Sequence, residues 1–468
     1  MYHLFFSLAA KLGLITLSTA IGVGGFLLFH SPEPIQAKAT AHAKVQNATY
    51  WREELSLKIE PTLLARTEKP VDLAGDALDV LYILEKGGKI VRIAPGTSSL
   101  SVSTQYARLA DDRTHTGVGF SAIAFHPDFH VKQSLGYGKF YVAVAEKAKT
   151  ALPDFVPEFG SEQVHHQDVL YEYQVDSPLL GNFVGTRREV MRFNQPGPDH
   201  NLKSLAFDHK GFLYLAVGDG ASTTVSRNSP SKNASSLTSA YGKVLRIEPL
   251  GRNSRNGKYG VPETNPFFLV TEALSELWAF GLRSPHSLTF DPFYETLVFG
   301  ESAIDGSDRV YRSDFGGEHY GWDLDQGSFL ANFAIRNELE EIISDPLLSV
   351  DRSSGQIDTH IGSVLYRGEN FPSLAGRLIY ASRDGQVIVH QETAQGLNLA
   401  DPVSLDLGPV ANKTVQALRT TPRGELILLC EDGSVIALSK GEGKGLEKSA
   451  KKSLYCLRLS AMPAAVRI

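Results

Sequence analysis

The sequence predicts an all-β protein, a six-bladed β-propeller preceded by an N-terminal hydrophobic helix. Three observations carry this. Short apolar runs alternate with Gly, Pro, Asp and Asn through most of the 468 residues. Units of strand, polar turn and strand recur, with Phe125, Phe207 and Phe290 opening equivalent turns at spacings of about eighty residues. No amphipathic helix of three or more turns is interleaved before the short 337–341 stretch, which favours a propeller over a βαβ fold. Blades of about sixty to eighty residues give roughly six of them.

The elements in order begin with residues 12–29, an uncharged apolar run long enough to span a membrane, with Lys11 at its inner boundary. An uncleaved anchor is the preferred reading. Cleavage after the Ser31-Pro32-Glu33-Pro34 break, near Ala37-Lys38-Ala39, is the alternative; either leaves the bulk of the chain outside the cytoplasm. The expected organisation is an anchor or signal segment at 1–36, a linker at 37–50, the propeller at 51–440 and a C-terminal extension at 441–468. Residues 78–94 read as a hairpin turning at Gly87-Gly88. The later units are AFHPDF leading to KFYVAVAEK, AFDHKG to FLYLAVGDG, TFDPFY to TLVFGES, and TTPRGE to LILLCEDGSVIAL. Formal charge is -6, so no basic footprint invites nucleic acid. Two cysteines, Cys430 and Cys456, allow one optional bridge and no disulfide framework. Asn47-Ala48-Thr49 is a glycosylation-type sequon.

The stretch 199–220, DHNLKSLAFDHKGFLYLAVGDG, carries the chemistry. Two paired antiparallel strands return the chain to the same sheet end, so the loop with Asp199 and His200 meets the loop with Asp219. A carboxylate fixes the tautomer of such a histidine and stabilises its imidazolium, which is what a general base requires. A capped turn at His200 and an Asx-turn at Asp219 are the alternative. His165-His166 ends a long loop. Alternation of side chains along a strand sends the two rings to opposite faces, against their sharing a metal ion.

Six motifs appear in order: AFHPDF from Ala124, the DH…GDG stretch, YGKVLRIEPLG from Tyr241, VPETNPFF from Val261, LWAFGLRSPHSLTFDP from Leu277, and GGEHYGWD from Gly316. Over residues 75–440 the chain resembles the glucose/sorbosone dehydrogenase family of soluble quinoprotein sugar dehydrogenases. The resemblance implies a six-bladed propeller with pyrroloquinoline quinone and calcium at the top of the channel, oxidising an aldose at its anomeric carbon by hydride transfer to the quinone. His200 falls on the family's base, with Asp199 and Asp219 on its acidic partners. Arg283 falls on an arginine near the quinone, where it would stabilise negative charge on the quinone oxygens. Ser284 stands where the family has asparagine. Arg383, or Asp384 beside it, maps onto a cofactor lysine, and the calcium-binding carbonyls land on Ala303 and Ile304. There are departures. Gly117 replaces a Gln or Glu facing the site, and Thr414 and Gln416 replace the paired arginines for the cofactor's carboxylates, with Lys413 one residue out of register. The leading expectation is a sugar-oxidising enzyme anchored outside the cytoplasm, with a sugar substrate and an unspecified electron acceptor. The departures favour a second reading, a non-catalytic propeller that binds a glycan or protein partner. A third, a metal-dependent hydrolase, lacks a convergent carboxylate set.

Overall fold

In the computed structural model the chain forms six four-stranded antiparallel sheets arranged as a ring. The described residues are 57–94, 103–158, 164–220, 232–302, 307–322, 343–351, 360–393 and 396–441. They all belong to one compact unit, residues 54–468. The N-terminal apolar run and the 441–468 extension, apart from Gly441, fall outside them. Among the described residues no helix is long and apolar enough to cross a membrane.

Each blade is a four-stranded meander. Blade one holds β2 (Pro70–Gly75), β3 (Leu81–Glu85), β4 (Lys89–Ile93) and β5 (Ser103–Arg108). Blade two holds β6 (Phe120–Phe125), β7 (Lys139–Lys147), β8 (His166–Val175) and β9 (Gly185–Gln195). Blade three holds β10 (Leu202–Phe207), β11 (Leu213–Val217), β12 (Lys243–Ile247) and β13 (Leu277–Phe280). Blade four holds β14 (Pro285–Asp291), β15 (Thr296–Ser302), β16 (Ser307–Ser313) and β17 (Leu348–Asp351). Blade five holds β18 (His360–Leu365), β19 (Leu378–Ser382), β20 (Val387–Thr393) and β21 (Gly396–Ser404). Blade six joins β22 (Val415–Thr420), β23 (Leu426–Cys430) and β24 (Ser434–Lys440) to β1 (Ile59–Arg66), which pairs antiparallel with β24. The first strands of successive blades touch in sequence, β2 to β6 to β10 to β14 to β18 to β22 and back to β2, which closes the ring.

The apolar runs that predicted strands are the second strands of the blades. LYILE, LYLAV, LIYAS and LILLC are buried at every position. A strand sandwiched between two other sheets needs apolar side chains on both faces, so strict alternation gives way to continuous runs. The core is accordingly a series of layers between blades. One cluster joins blades two and three through Leu170, Phe193, Leu215 and Tyr241, and another joins blades three and four through Trp278, Leu282 and Phe299. Cys430 ends one such run as a buried free thiol, which burial and then Asp432 push up to about 11. A thiol held in that state is inert. Its candidate partner Cys456 lies outside the described residues.

Because the strands alternate in direction, two sets of loops open on the same face. These are the loops that enter each first strand and those that join each second strand to the third. The turns between first and second strands open on the opposite face. This geometry decides which residues can meet.

Candidate active site

His200 lies in the loop entering β10, and Asp219 follows β11. The register that pairs Leu202 with Val217 returns both to one end of the sheet. His200 Nδ1 and Asp219 Oδ1 are 2.6 Å apart. An ionised carboxylate only accepts, so Nδ1–H donates and the lone pair of Nε2 is left for a substrate hydroxyl. Asp219 is fully buried and His200 retains a 13% exposed side chain, so the base reaches the mouth while its partner is shielded. His200 adopts φ 58°, a left-handed conformation uncommon outside glycine. Its backbone is pressed against Gly218, where a Cβ would lie 2.1 Å from the His200 carbonyl oxygen.

Two further side chains complete the arrangement. Trp322 Nε1 donates to Asp219 Oδ2 at 2.9 Å, so each carboxylate oxygen has its own donor. The Arg283 guanidinium lies 5.3 Å from the Trp322 ring centroid, a cation–π distance, and its Nη1 donates to the Ser302 carbonyl at 3.1 Å. The peptides are tied as well: Asp219 N–H donates to the Arg283 carbonyl at 2.8 Å. His200, Asp219, Trp322 and Arg283 therefore form one connected set.

Trp322 arrives by an unusual route. After β16 the chain leaves blade four and runs parallel to β13, with His319 bridged to Phe280 and Trp322 N–H on the Gly281 carbonyl at 2.9 Å. The GGEHYGWD motif contains the signal, but nothing in the residue spacing places its tryptophan under Asp219.

Ser284 is buried, and Lys203 Nζ donates to its Oγ at 3.1 Å. Lys203, three residues past the base, is a second cation near Arg283 that the sequence reading missed. Glu301 is missed too. It accepts the Arg283 backbone N–H, and burial raises its carboxyl to about 7, opposed by that bond and by Arg309. Its folded pKa lies above the unfolded value, so the native state keeps a proton that the unfolded chain releases as pH rises above about 4.5. Stability is therefore expected to fall by roughly 3 kcal/mol between about pH 4.5 and about pH 7 and to level off above. Glu301→Gln removes this slope in thermal midpoints measured across that range. Equal slopes in the two proteins would show that another group is responsible.

Asp199 is exposed beside the base and makes no hydrogen bond to His200; its charge bears on His165 instead. His165 precedes β8 and escapes the alternation of the strand, so the expectation that the two rings diverge fails. Its Nδ1 lies 2.9 Å from His166 Nδ1. His166 Nε2 lies 3.1 Å from Asp168 Oδ1, and Asp168 Oδ2 accepts the Leu202 N–H at 2.7 Å, which steadies the loop behind His200. Burial, then His166 and His115, hold the His165 pKa below its usual value. Among the described residues no three His, Cys, Asp or Glu side chains converge to hold a metal ion.

The far side of the mouth differs. Arg383 pairs loosely with Glu431 at 3.7 Å, and Lys413 pairs with Asp432. Thr414 is exposed and Gln416 half-buried, and neither is charged. Gly117 is also exposed, with its missing side chain facing His115. Ala303 and Ile304 lie outside the described residues. The described residues thus fit a hydroxyl donor at His200 and one anionic oxygen near Arg283 and Lys203. They do not form the cationic cradle that the carboxylates of pyrroloquinoline quinone require, since Arg383 and Lys413 already have acidic partners and Thr414 and Gln416 are uncharged.

Comparison with known proteins accords with this geometry. The "Aldose sugar dehydrogenase YliI" of Escherichia coli (strain K12) is 26% identical over 234 residues, 49% of this chain and 57% of the relative. The human "Hedgehog-interacting protein" is 24% identical over 328 residues, 68% of this chain and 41% of that protein. The chain spans about half the length of the curated relatives it matches. Among solved structures, the apo-form of the soluble aldose sugar dehydrogenase from Escherichia coli superposes with a TM-score of 0.57 at 19% identity, over 82% of this chain and 99% of that one, a likeness of fold. The family model for glucose/sorbosone dehydrogenase matches residues 68–437. With most of its length so matched, the chain belongs to the glucose/sorbosone dehydrogenase family.

Proposed function

We propose that the chain is a sugar dehydrogenase-type oxidoreductase that takes an aldose at the mouth of the ring and oxidises it at the anomeric carbon. The carboxylate-backed His200 carries this reading. Its Nε2 accepts the proton of the anomeric hydroxyl, and Asp219 holds the resulting imidazolium in place. Trp322 keeps Asp219 from rotating away, and Arg283 offers positive charge where an anionic oxygen develops. The implied electron acceptor is of the quinone class with calcium, by analogy with the family. The "Aldose sugar dehydrogenase" named among the relatives supports the sugar substrate. The uncharged Thr414 and Gln416 weigh against pyrroloquinoline quinone itself. The apolar run at 12–29 supports an enzyme held at a membrane with its ring outside the cytoplasm.

A second reading is a propeller that binds a glycan or protein partner without redox chemistry. The paired cations on blades five and six favour it, as does kinship with a protein named for interacting with Hedgehog. Titration with a panel of quinones in the presence of calcium, followed by dye reduction with a panel of aldoses, separates the two. Saturable quinone binding with aldose-dependent dye reduction is the expected result. Absence of reduction with every aldose and with every quinone offered would sink the enzymatic reading.

A further inference from the structure

The opposite face of the ring carries a cavity of about 880 Å³ that the candidate active site does not use. It opens among the turns between first and second strands, at the far ends of β14, β18 and β22, with Gly75 of blade one at its edge. Strand β14 runs from Pro285 near the base to Asp291 in this second cavity, so the two sites sit at opposite ends of the same strands.

The lining is chemically mixed in a specific way. Its floor is apolar, from Phe290, Val298, Val364 and Leu365. Above the floor the Arg367 guanidinium is fixed by two bonds of 2.7 Å to the buried carboxylate of Asp291. The same guanidinium lies 4.9 Å from the Phe293 ring centroid and 5.0 Å from that of Tyr294. Those rings are 72% and 50% exposed and pack edge to face, an aromatic lip beside the cavity with little reason to face water. Arg423 on the neighbouring blade pairs through Nε with Asp79 and keeps a side chain that is 67% exposed. Glu369 and Thr420 also line the cavity.

Donors and acceptors thus stand together over an apolar floor. An anion entering here meets Glu369, and a cation meets Arg367 and Arg423. A neutral ligand bearing many hydroxyls meets neither penalty, because each hydroxyl both donates and accepts. A sugar ring also offers an apolar C–H face to an exposed aromatic side chain, and the volume falls within the range of small-ligand sites. The geometry points to a second carbohydrate-binding site on the face opposite His200, one that takes a neutral oligosaccharide. It does not rest on the proposed redox function.

Saturation-transfer NMR on the full chain tests this with maltotriose, cellotriose, chitotriose and mannotriose, with trigalacturonate as the acidic control. At least one neutral trisaccharide is expected to bind. Phe293→Ala/Tyr294→Ala and Arg423→Ala, at exposed positions, should weaken that binding about tenfold or more without moving the thermal midpoint, and His200→Gln should leave it unchanged. The inference is overturned if no neutral trisaccharide binds, if only trigalacturonate binds, or if binding is lost in His200→Gln and kept in the other variants. Capture of a polypeptide by this face, with every saccharide silent, overturns it equally.

Discussion

Asp219→Asn is expected to lower turnover about 10³- to 10⁴-fold while leaving the fold intact. The magnitude follows from the two donors that share this carboxylate. Trp322 Nε1 donates to Oδ2 at 2.9 Å and would keep an amide oxygen at that position. The amide NH₂ must then face His200 Nδ1, now 2.6 Å from Oδ1. A donor there forces Nδ1 to accept and moves the ring proton to Nε2, so the nitrogen facing the substrate loses its lone pair. The imidazolium also loses its counter-charge. Steady-state dye reduction reads the loss. The ¹⁵N shifts of the His200 ring read the tautomer whether or not an acceptor has been found. Combined with His200→Gln, the change should cost little more than either substitution alone, since the two residues act as a unit. An Asp219→Asn protein with near-native turnover would remove His200 from the role of base.

The second large effect is expected at Gly218. A Cβ there would lie 2.1 Å from the carbonyl oxygen of His200, 2.4 Å from its carbonyl carbon and 2.7 Å from its Cα, all backbone atoms that cannot swing aside. Retreat is blocked on the other side, because Gly242 N–H donates to the Gly218 carbonyl at 2.9 Å and Asp219 N–H to Arg283 at 2.8 Å. Gly218→Ala must therefore push the base loop outward. A loss of about 1–3 kcal/mol in stability is expected from the forced contact. A base displaced by about 1 Å is expected to cost roughly a hundredfold in turnover. Thermal midpoints and kcat/KM measured together check both. Unchanged kcat/KM would show that the loop relocates without moving the imidazole.

The ring itself was legible in the sequence because each blade repeats one local device: a buried run, a polar turn and a second buried run. The spacing of Phe125, Phe207 and Phe290 reports that device directly, and all three end or nearly end the first strand of a blade. His200 and Asp219 were legible for a related reason, since a hairpin brings its ends together by geometry alone. What escaped depends on contacts between blades. Trp322 stands 103 residues from Asp219 and reaches it by a segment that leaves blade four and runs against β13, in the sheet that carries Asp219. Lys203 and Glu301 acquire meaning only when blades three and four are adjacent. The reading of His165 and His166 failed at a boundary, because a strand that begins at His166 imposes no alternation on the residue before it.

The pairing of β1 with β24 bears on how this protein is made. Residues 59–66 leave the ribosome early, yet their ladder partner at 434–440 is among the last segments of the ring to emerge. Throughout synthesis that strand presents an unsatisfied edge, and blade six cannot form while the first five blades are being completed. Such distant pairing slows folding and leaves partly assembled chains prone to sticking through open edges. Closure of the ring must await residues 434–440, and a newborn chain stopped before residue 434 would lack the strand that pairs with β1.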